Sequence, residues 1–374
     1  MTRRVSLIIL TAVLWACAGQ AFAMESGPCS NPDHEFDLLV RQEQAVLEQR
    51  GVILHDASLT RYLQTVADKL WEQIPTALDP PVVMVIADPR LQAFTYPNGY
   101  CYLSTGILAL ASNEDQLAMI VSHELVHYAH QDSVKLYSHI QTTSFKKNGI
   151  QAGHWHRAVA SRGIKGEIDA AEQRADEEGL SILRKSGYCE REAAALMHAF
   201  MKTPQIQGDP ESEAYFKIRA QFMEAQLAHV DSRSCCSPET PDSPDAYWAR
   251  IAPALMANAR AALQGGDWDQ ADDSVSKFMT WKPDDARANY IKGELLRRRN
   301  DDAGKKQCIG YYEKALRNDP GFSLAYRALG ELHFKAGRYD AARPYFETFL
   351  SLAPRDDASK YIEGYLDRCS TVKP

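Results

Sequence analysis

The chain has 374 residues, 42 Lys and Arg against 49 Asp and Glu, a net charge of -7, and 45% hydrophobic with 24% charged residues. That is enough for two domains with separate cores, and the composition excludes collagen-like, largely disordered and multi-spanning membrane classes. The acidic balance gives no electrostatic reason to expect nucleic acid as a partner, since that needs clustered basic residues.

The chain opens with the cationic Met1-Thr2-Arg3-Arg4, continues with a mostly apolar run from Val5 to Ala18, and reaches Ala21-Phe22-Ala23. This order predicts a cleavable secretory signal over 1–23, cut after Ala23. The apolar run is shorter than the roughly 20 residues a membrane anchor needs, and no later segment is long and apolar enough to span. Lipidation at Cys17 is the weaker alternative, because Trp15 fits a lipobox poorly. The expectation is a soluble exported protein.

Export makes disulfides chemically accessible. Cleavage removes Cys17 and leaves seven cysteines, Cys29, Cys101, Cys189, Cys235, Cys236, Cys308 and Cys369. An odd number requires at least one free thiol or an intermolecular bridge. None forms a C-x-x-C pair, which argues against a cysteine-rich zinc site. Cys308 and Cys369 share the C-terminal helical region and are candidates to pair.

In chain order, Phe36–Arg50 and Leu59–Ile74 carry helix-like apolar spacing. Val82-Val83-Met84-Val85-Ile86 is a β-branched run stopped at Asp88-Pro89. Phe94-Thr95-Tyr96 and Tyr100-Cys101-Tyr102-Leu103 flank Pro97-Asn98-Gly99, the pattern of a hairpin. Ser112 followed by Asp115 predicts the start of the next helix, before the apolar run Leu117 to Val121. A helix over Glu167–Lys185 follows. The segment from Pro204 to Pro244 lies between clear patterns, and its proline-rich end from Ser234 reads as a loop.

Beyond that loop the sequence repeats. Gly266-Asp267-Trp268 with Ala271 and Pro283 aligns with Tyr312, Ala315 and Pro320, and with Gly337-Arg338-Tyr339, Ala342, Phe346 and Pro354. The glycine-to-proline spacing is 17 residues in both the first and last copies. The pattern resembles the tetratricopeptide repeat, a helix–turn–helix of about 34 residues. The middle copy has about three extra residues near Asp301–Gln307 when counted against that period. Three copies and a final helix over Asp357–Cys369 are about the minimum that stacks stably. The phased positions disfavour a generic helical bundle, and a stack of this kind offers a concave surface to protein.

The chemistry lies in His123-Glu124-Leu125-Val126-His127. Four residues is just over one helical turn, so both imidazoles leave one face and converge on one cation. Glu124 then stands beside that cation as a base for its water. Without a metal, two histidines and a glutamate on so apolar a helix would be costly to bury. Further on, Glu172 and Asp176 lie four apart among Ile168, Ala171, Ala175, Gly179 and Ile182. One carboxylate can complete a zinc site while the other orients a ligand histidine. His154 and His156 read as surface residues.

His123-Glu124-x-x-His127 with Glu172-x-x-Ala175-Asp176-x-x-Gly179 resembles the gluzincin metallopeptidase family of HtpX, the CAAX prenyl endopeptidase and BepA. Ala93-Phe94-Thr95-Tyr96-Pro97-Asn98-Gly99-Tyr100 with Thr105-Gly106 resembles the family's segment before the catalytic helix. The likeness covers roughly Asp33 to Pro253, and the added repeats resemble the periplasmic, BepA-type members. The resemblance implies an α+β, mostly helical chain: a gluzincin-type metallopeptidase domain with a small β-sheet over 30–250, then an all-α tetratricopeptide-repeat solenoid over 251–370. It implies one zinc ion held by His123, His127 and Glu172, with Glu124 as catalytic base and Asp176 behind a ligand. It further implies that the strand near Tyr100–Leu103 pairs with extended substrate.

One departure stands out. The family commonly places a His-Pro step before an arginine near the active site. Here Ser234-Cys235-Cys236-Ser237-Pro238 leads to Arg250 without that histidine. Arg250 is the candidate to stabilise the oxyanion, while a role for His198 or His229 in place of the absent histidine is open.

The leading expectation is a periplasmic zinc endopeptidase acting on protein or unfolded-polypeptide substrates in outer-membrane protein assembly or quality control. The repeats would recruit envelope assembly proteins, and peripheral association with the outer membrane would follow. The alternative is a periplasmic chaperone or adaptor with an inactive or autoinhibited metal site. A hydrolase of small amides is weaker, since a small substrate gives no reason for protein-binding repeats.

Overall fold

The computed structural model describes residues 32–142, 162–227, 244–299 and 302–371. The predicted signal, Cys17, Cys29, His154, His156, His229, Cys235 and Cys236 lie outside the described residues. The chain divides into two compact units, Met1–Asn258 and Ala259–Pro374.

In the first unit, α1 (Pro32–Gln49) and α2 (Ala57–Trp71) precede strand β1 (Val82–Ile86). Asp56 caps α2, its carboxylate accepting from the Ser58 and Leu59 amides. Leu59, Leu63, Val66, Ala67 and Leu70 form the buried stripe of α2. Strands β2 (Ala93–Thr95) and β3 (Tyr100–Ser104) pair antiparallel across the predicted turn, and β1 pairs parallel with β3. The sheet order is β1-β3-β2. Both edges of β3 are therefore taken, so β3 has no free edge for an extended substrate. The expectation that Tyr100–Leu103 pairs with substrate is corrected: β2 is an edge strand and β3 is central.

Helix α3 (Thr105–Leu110) follows β3, capped by Ser104. Helix α4 (Glu114–Ala129) begins one residue later than the predicted start. Asn113 is the cap, accepting from the Gln116 amide, while the Gln116 side chain accepts from the Ser112 amide. Every residue of α4 from Gln116 to Tyr128 is buried. A helix apolar on all sides belongs in the middle of a domain, and this one carries the His-Glu-x-x-His motif.

Helices α5 (Asp132–Thr142), α6 (Arg162–Lys185), α7 (Arg191–Met201), α8 (Pro210–Leu227) and α9 (Pro244–Arg250) complete the surroundings. Helix α6 packs closely on α4 because Gly179 has no side chain. A Cβ there would lie 3.2 Å from Ser122 Oγ and 3.5 Å from the His123 amide. That close approach brings Glu172 and Asp176 to the histidines. Helix α10 (Ala252–Gly265) contains the division between units.

The second unit continues with α11 (Trp268–Trp281), then the pairs α12 (Ala286–Arg299) with α13 (Asp302–Asn318) and α14 (Ser323–Lys335) with α15 (Tyr339–Leu352), and ends in α16 (Ser359–Thr371). The extra residues of the middle copy lengthen α13 to 17 residues, against 14 for α11 and α15. Cys308 and Cys369, candidates to pair, form no disulfide with each other. Each is buried in a different core cluster, Cys308 with Tyr312 and Leu329, Cys369 with Phe346 and Ile362. Cys101 is a buried free thiol, whereas Cys189 is disulfide-bonded. Among the described residues no helix is long and apolar enough to cross a membrane.

Candidate metal centre

One turn of α4 separates His123 from His127, and their Nε2 atoms lie 3.1 Å apart. Glu172 on α6 completes the group: Oε2 is 3.4 Å from His123 Nε2, and Oε1 is 3.4 Å from His127 Nε2. All three residues are buried. For zinc bonds near 2.0–2.1 Å, tetrahedral geometry puts neighbouring ligand atoms roughly 3.3–3.4 Å apart. The observed separations match that spacing. Glu172 Oε1 is buried and has no hydrogen-bond partner, an arrangement that a cation would satisfy.

The outer ring ligand atoms are fixed as well. His123 Nδ1 is 3.0 Å from Asp176 Oδ1, and His127 Nδ1 is 3.0 Å from Asp132 Oδ2. Each carboxylate favours the tautomer with hydrogen on Nδ1, which leaves the Nε2 lone pair facing the cluster. Both carboxylates have guanidinium partners. Arg219 donates to Asp176 at 2.6 and 2.8 Å, and Arg174 donates to Asp132 at 2.6 and 2.8 Å. The Tyr215 hydroxyl donates to Glu172 Oε2 at 2.7 Å and accepts from Arg219 at 3.2 Å.

Glu124, Asp132, Glu172 and Asp176 are all buried, with Arg219 paired to Asp176 and Arg174 to Asp132. Burial alone would raise the Glu172 carboxyl, but His123 and His127 hold it well below the usual range. Burial likewise disfavours the His127 imidazolium, yet Asp132, Glu172 and Glu124 push it up to about 10. Glu124 differs: burial raises it to about 7, with His127 and His123 only partly opposing.

Glu124 and His123 line a small cavity with Ala93, Met119, Leu196 and Phe200. It offers about 20 Å³ to water centres, and about 10–15 Å³ is enough for one molecule. A larger cavity of about 300 Å³ between α5 and α6 reaches Asp132 and Arg174 but is not lined by His123, Glu124, His127 or Glu172.

Thus His123, His127, Glu124, Glu172 and Asp176 come together. Arg250, the candidate for the oxyanion, is seated on another residue. Its guanidinium donates to Glu114 at 2.6 Å and lies over the Tyr62 ring. Glu114 starts α4, nine residues before His123, a distance of about 13 Å along the helix. His198 pairs with Glu224 at the surface. Four residues of the site escaped sequence reading: Asp132, Arg174, Tyr215 and Arg219. The only signals were the His127–Asp132 spacing of five and the Tyr215–Arg219 spacing of four, neither distinctive alone.

Residues 57–217 match the family model of Peptidase family M48, and residues 309–357 match a tetratricopeptide repeat. Residues 57–217 of this chain are thus similar to a Peptidase family M48 domain, and a stretch similar to a tetratricopeptide repeat follows them. Among curated proteins it is similar to the beta-barrel assembly-enhancing proteases of Yersinia pestis and Escherichia coli K12, each 23% identical over 168 residues, 41% of this chain and 34% of theirs. A putative beta-barrel assembly-enhancing protease of Vibrio cholerae is 23% identical over 159 residues, 38% of this chain and 33% of its own. The chain spans about a third of the length of these relatives.

Proposed function

We propose that this chain is an exported, zinc-dependent endopeptidase that hydrolyses peptide bonds of envelope proteins in the periplasm, in outer-membrane protein assembly or quality control. The observation that carries the reading is the trio His123, His127 and Glu172, with ligand atoms spaced for a tetrahedral cation and Glu124 beside them. The printed names of the relatives support the substrate class. The repeats support recruitment of protein clients or envelope assembly proteins.

His123, His127 and Glu172 would hold the ion, which when bound supplies Lewis-acid activation of water and of the scissile carbonyl. Glu124 accepts the proton of the attacking water and delivers it to the leaving nitrogen. Buried beside His123 in a cavity with room for one water, it is placed for proton transfer in both directions. Asp132 and Asp176 keep the imidazoles oriented through both steps. The surrounding apolar side chains of Ala93, Met119, Leu196 and Phe200 limit water to what the reaction uses.

The test is zinc content together with cleavage of an unfolded envelope client, with and without chelator. One zinc per chain is expected, with activity lost in Glu124→Gln while zinc is kept. A fully active Glu124→Gln variant would overturn the mechanism. A chaperone or adaptor with an inactive metal site is the second reading, favoured by the seating of Arg250 on Glu114 away from the ligands. Zinc bound without cleavage of any such client would establish it instead.

A further inference from the structure

The two oxygens of Glu172 are in different situations. Oε2 accepts a 2.7 Å hydrogen bond from the Tyr215 hydroxyl, whereas Oε1 is buried without a partner. Tyr215 is itself held. Arg219 donates to the phenol oxygen at 3.2 Å, its guanidinium lies over the ring, and Phe216 meets the ring edge-on. With Arg219 also locked on Asp176 by two hydrogen bonds, the phenol has one direction left for its proton, toward Glu172.

We infer that Tyr215 is a positioning residue that makes Glu172 a one-oxygen ligand. Its hydroxyl engages Oε2, which also lies 3.4 Å from His123 Nε2, and leaves Oε1, 3.4 Å from His127 Nε2, without any hydrogen bond. This rests on the zinc reading above. An unrestrained carboxylate has both oxygens available to one cation, which raises the coordination number and crowds the position that an open catalytic site keeps for substrate or water. A phenol donor on one oxygen biases the group against that, and outer partners of this kind set both affinity and geometry. The same helix, α8, thus serves two ligands: Tyr215 acts on Glu172, and Arg219 acts on His123 through Asp176.

The experiment compares the full-length wild-type chain, Tyr215→Phe, and Ile218→Ala as a control on the exposed face of α8. Phe keeps the ring contacts and removes only the donor. Zinc affinity, measured by competition with a chromophoric chelator, should fall about 10- to 100-fold in Tyr215→Phe and stay unchanged in Ile218→Ala. Cobalt substituted for zinc should show the intense visible bands of a four-coordinate ion in the wild type, with markedly weaker bands of a five-coordinate ion in Tyr215→Phe. An unchanged cobalt spectrum in Tyr215→Phe overturns the inference, whatever the affinity. A second measurement needs no variant: in fluorotyrosine-labelled wild type, zinc should shift a tyrosine resonance, and none shifted also overturns it. A wild type that binds neither ion removes the zinc reading itself, a result separable from both.

Discussion

Asp132 Oδ2 lies 3.0 Å from His127 Nδ1, and both residues are buried. The aspartate is the first residue of α5, so the chain leaving α4 turns back at once to hold its second histidine. Gln131, between the two helices, takes φ 52 to make that turn, a conformation uncommon for a side-chain-bearing residue. Arg174 from α6 then grips both oxygens of Asp132. The two histidines therefore have equivalent supports, Asp176–Arg219 and Asp132–Arg174.

Asp132→Asn should weaken zinc binding by about 10- to 100-fold, comparably to Asp176→Asn. The amide can still meet the ring but no longer balances charge or fixes the tautomer. Chelator competition on the purified variants checks this. Wild-type affinity in Asp132→Asn would reduce the contact to packing.

Arg250 supplies a test that separates position from chemistry. An oxyanion donor typically costs about 10²–10³ in kcat when removed, whereas a partly exposed ion pair contributes about 1 kcal/mol or less to stability. Arg250→Ala should leave kcat on a client within a few-fold of wild type and lower the melting temperature slightly, because its partner is Glu114. A hundred-fold loss of kcat in a folded variant would return Arg250 to the reaction.

These two aspartate and arginine cases show what the sequence could carry. His123, Glu124 and His127 were legible because one element holds them at helical spacing, and Glu172 with Asp176 because small residues surround them. Strand β1 was legible as a β-branched run. Tyr215 and Arg219 were not, since the buried stripe of α8 runs through Ser212, Phe216, Arg219, Ala220 and Met223 while Ile218 faces solvent. An arginine in the stripe and an isoleucine outside it erase the periodic contrast that marks a helix. Arg219 is buried only because Asp176 waits for it, and that partner is 43 residues away. The place of β3 was lost for a related reason: sheet order depends on long-range pairing, and a hairpin alone does not say which strand gains a second neighbour.

Within the repeat unit, Gly330 and Gly293 lie against aromatic rings of the following helix. A Cβ at Gly330 would come within 2.5 Å of the Phe346 ring, and one at Gly293 within 2.4 Å of the Tyr312 ring. Both rings are fully buried and cannot swing into solvent. Gly330→Ala should therefore destabilise the repeat unit by about 1–3 kcal/mol despite alanine's better helix propensity. Denaturant unfolding followed by circular dichroism reads this, and a stabilised variant would show that helix propensity outweighs the contact.

The pH dependence of stability has a definite source in Glu43. Its carboxyl is buried in α1 and accepts from the Tyr96 hydroxyl at 3.0 Å. Burial pushes it up to about 8, and the Tyr96 hydrogen bond offsets only part of that. Below about pH 4.5, the ordinary value of the group, folded and unfolded chains both carry the proton and the residue costs nothing. Between that value and about 8 only the unfolded chain releases the proton, so this group removes up to about 1.4 kcal/mol of stability per pH unit. Above about 8 both states are ionised and the loss levels off. Glu43→Gln keeps an acceptor for Tyr96 and cannot ionise. Its melting temperature should equal or slightly trail wild type at pH 5 and exceed it clearly at pH 8. Parallel melting curves for the two proteins across that range would show that Glu43 does not hold its proton in the folded chain.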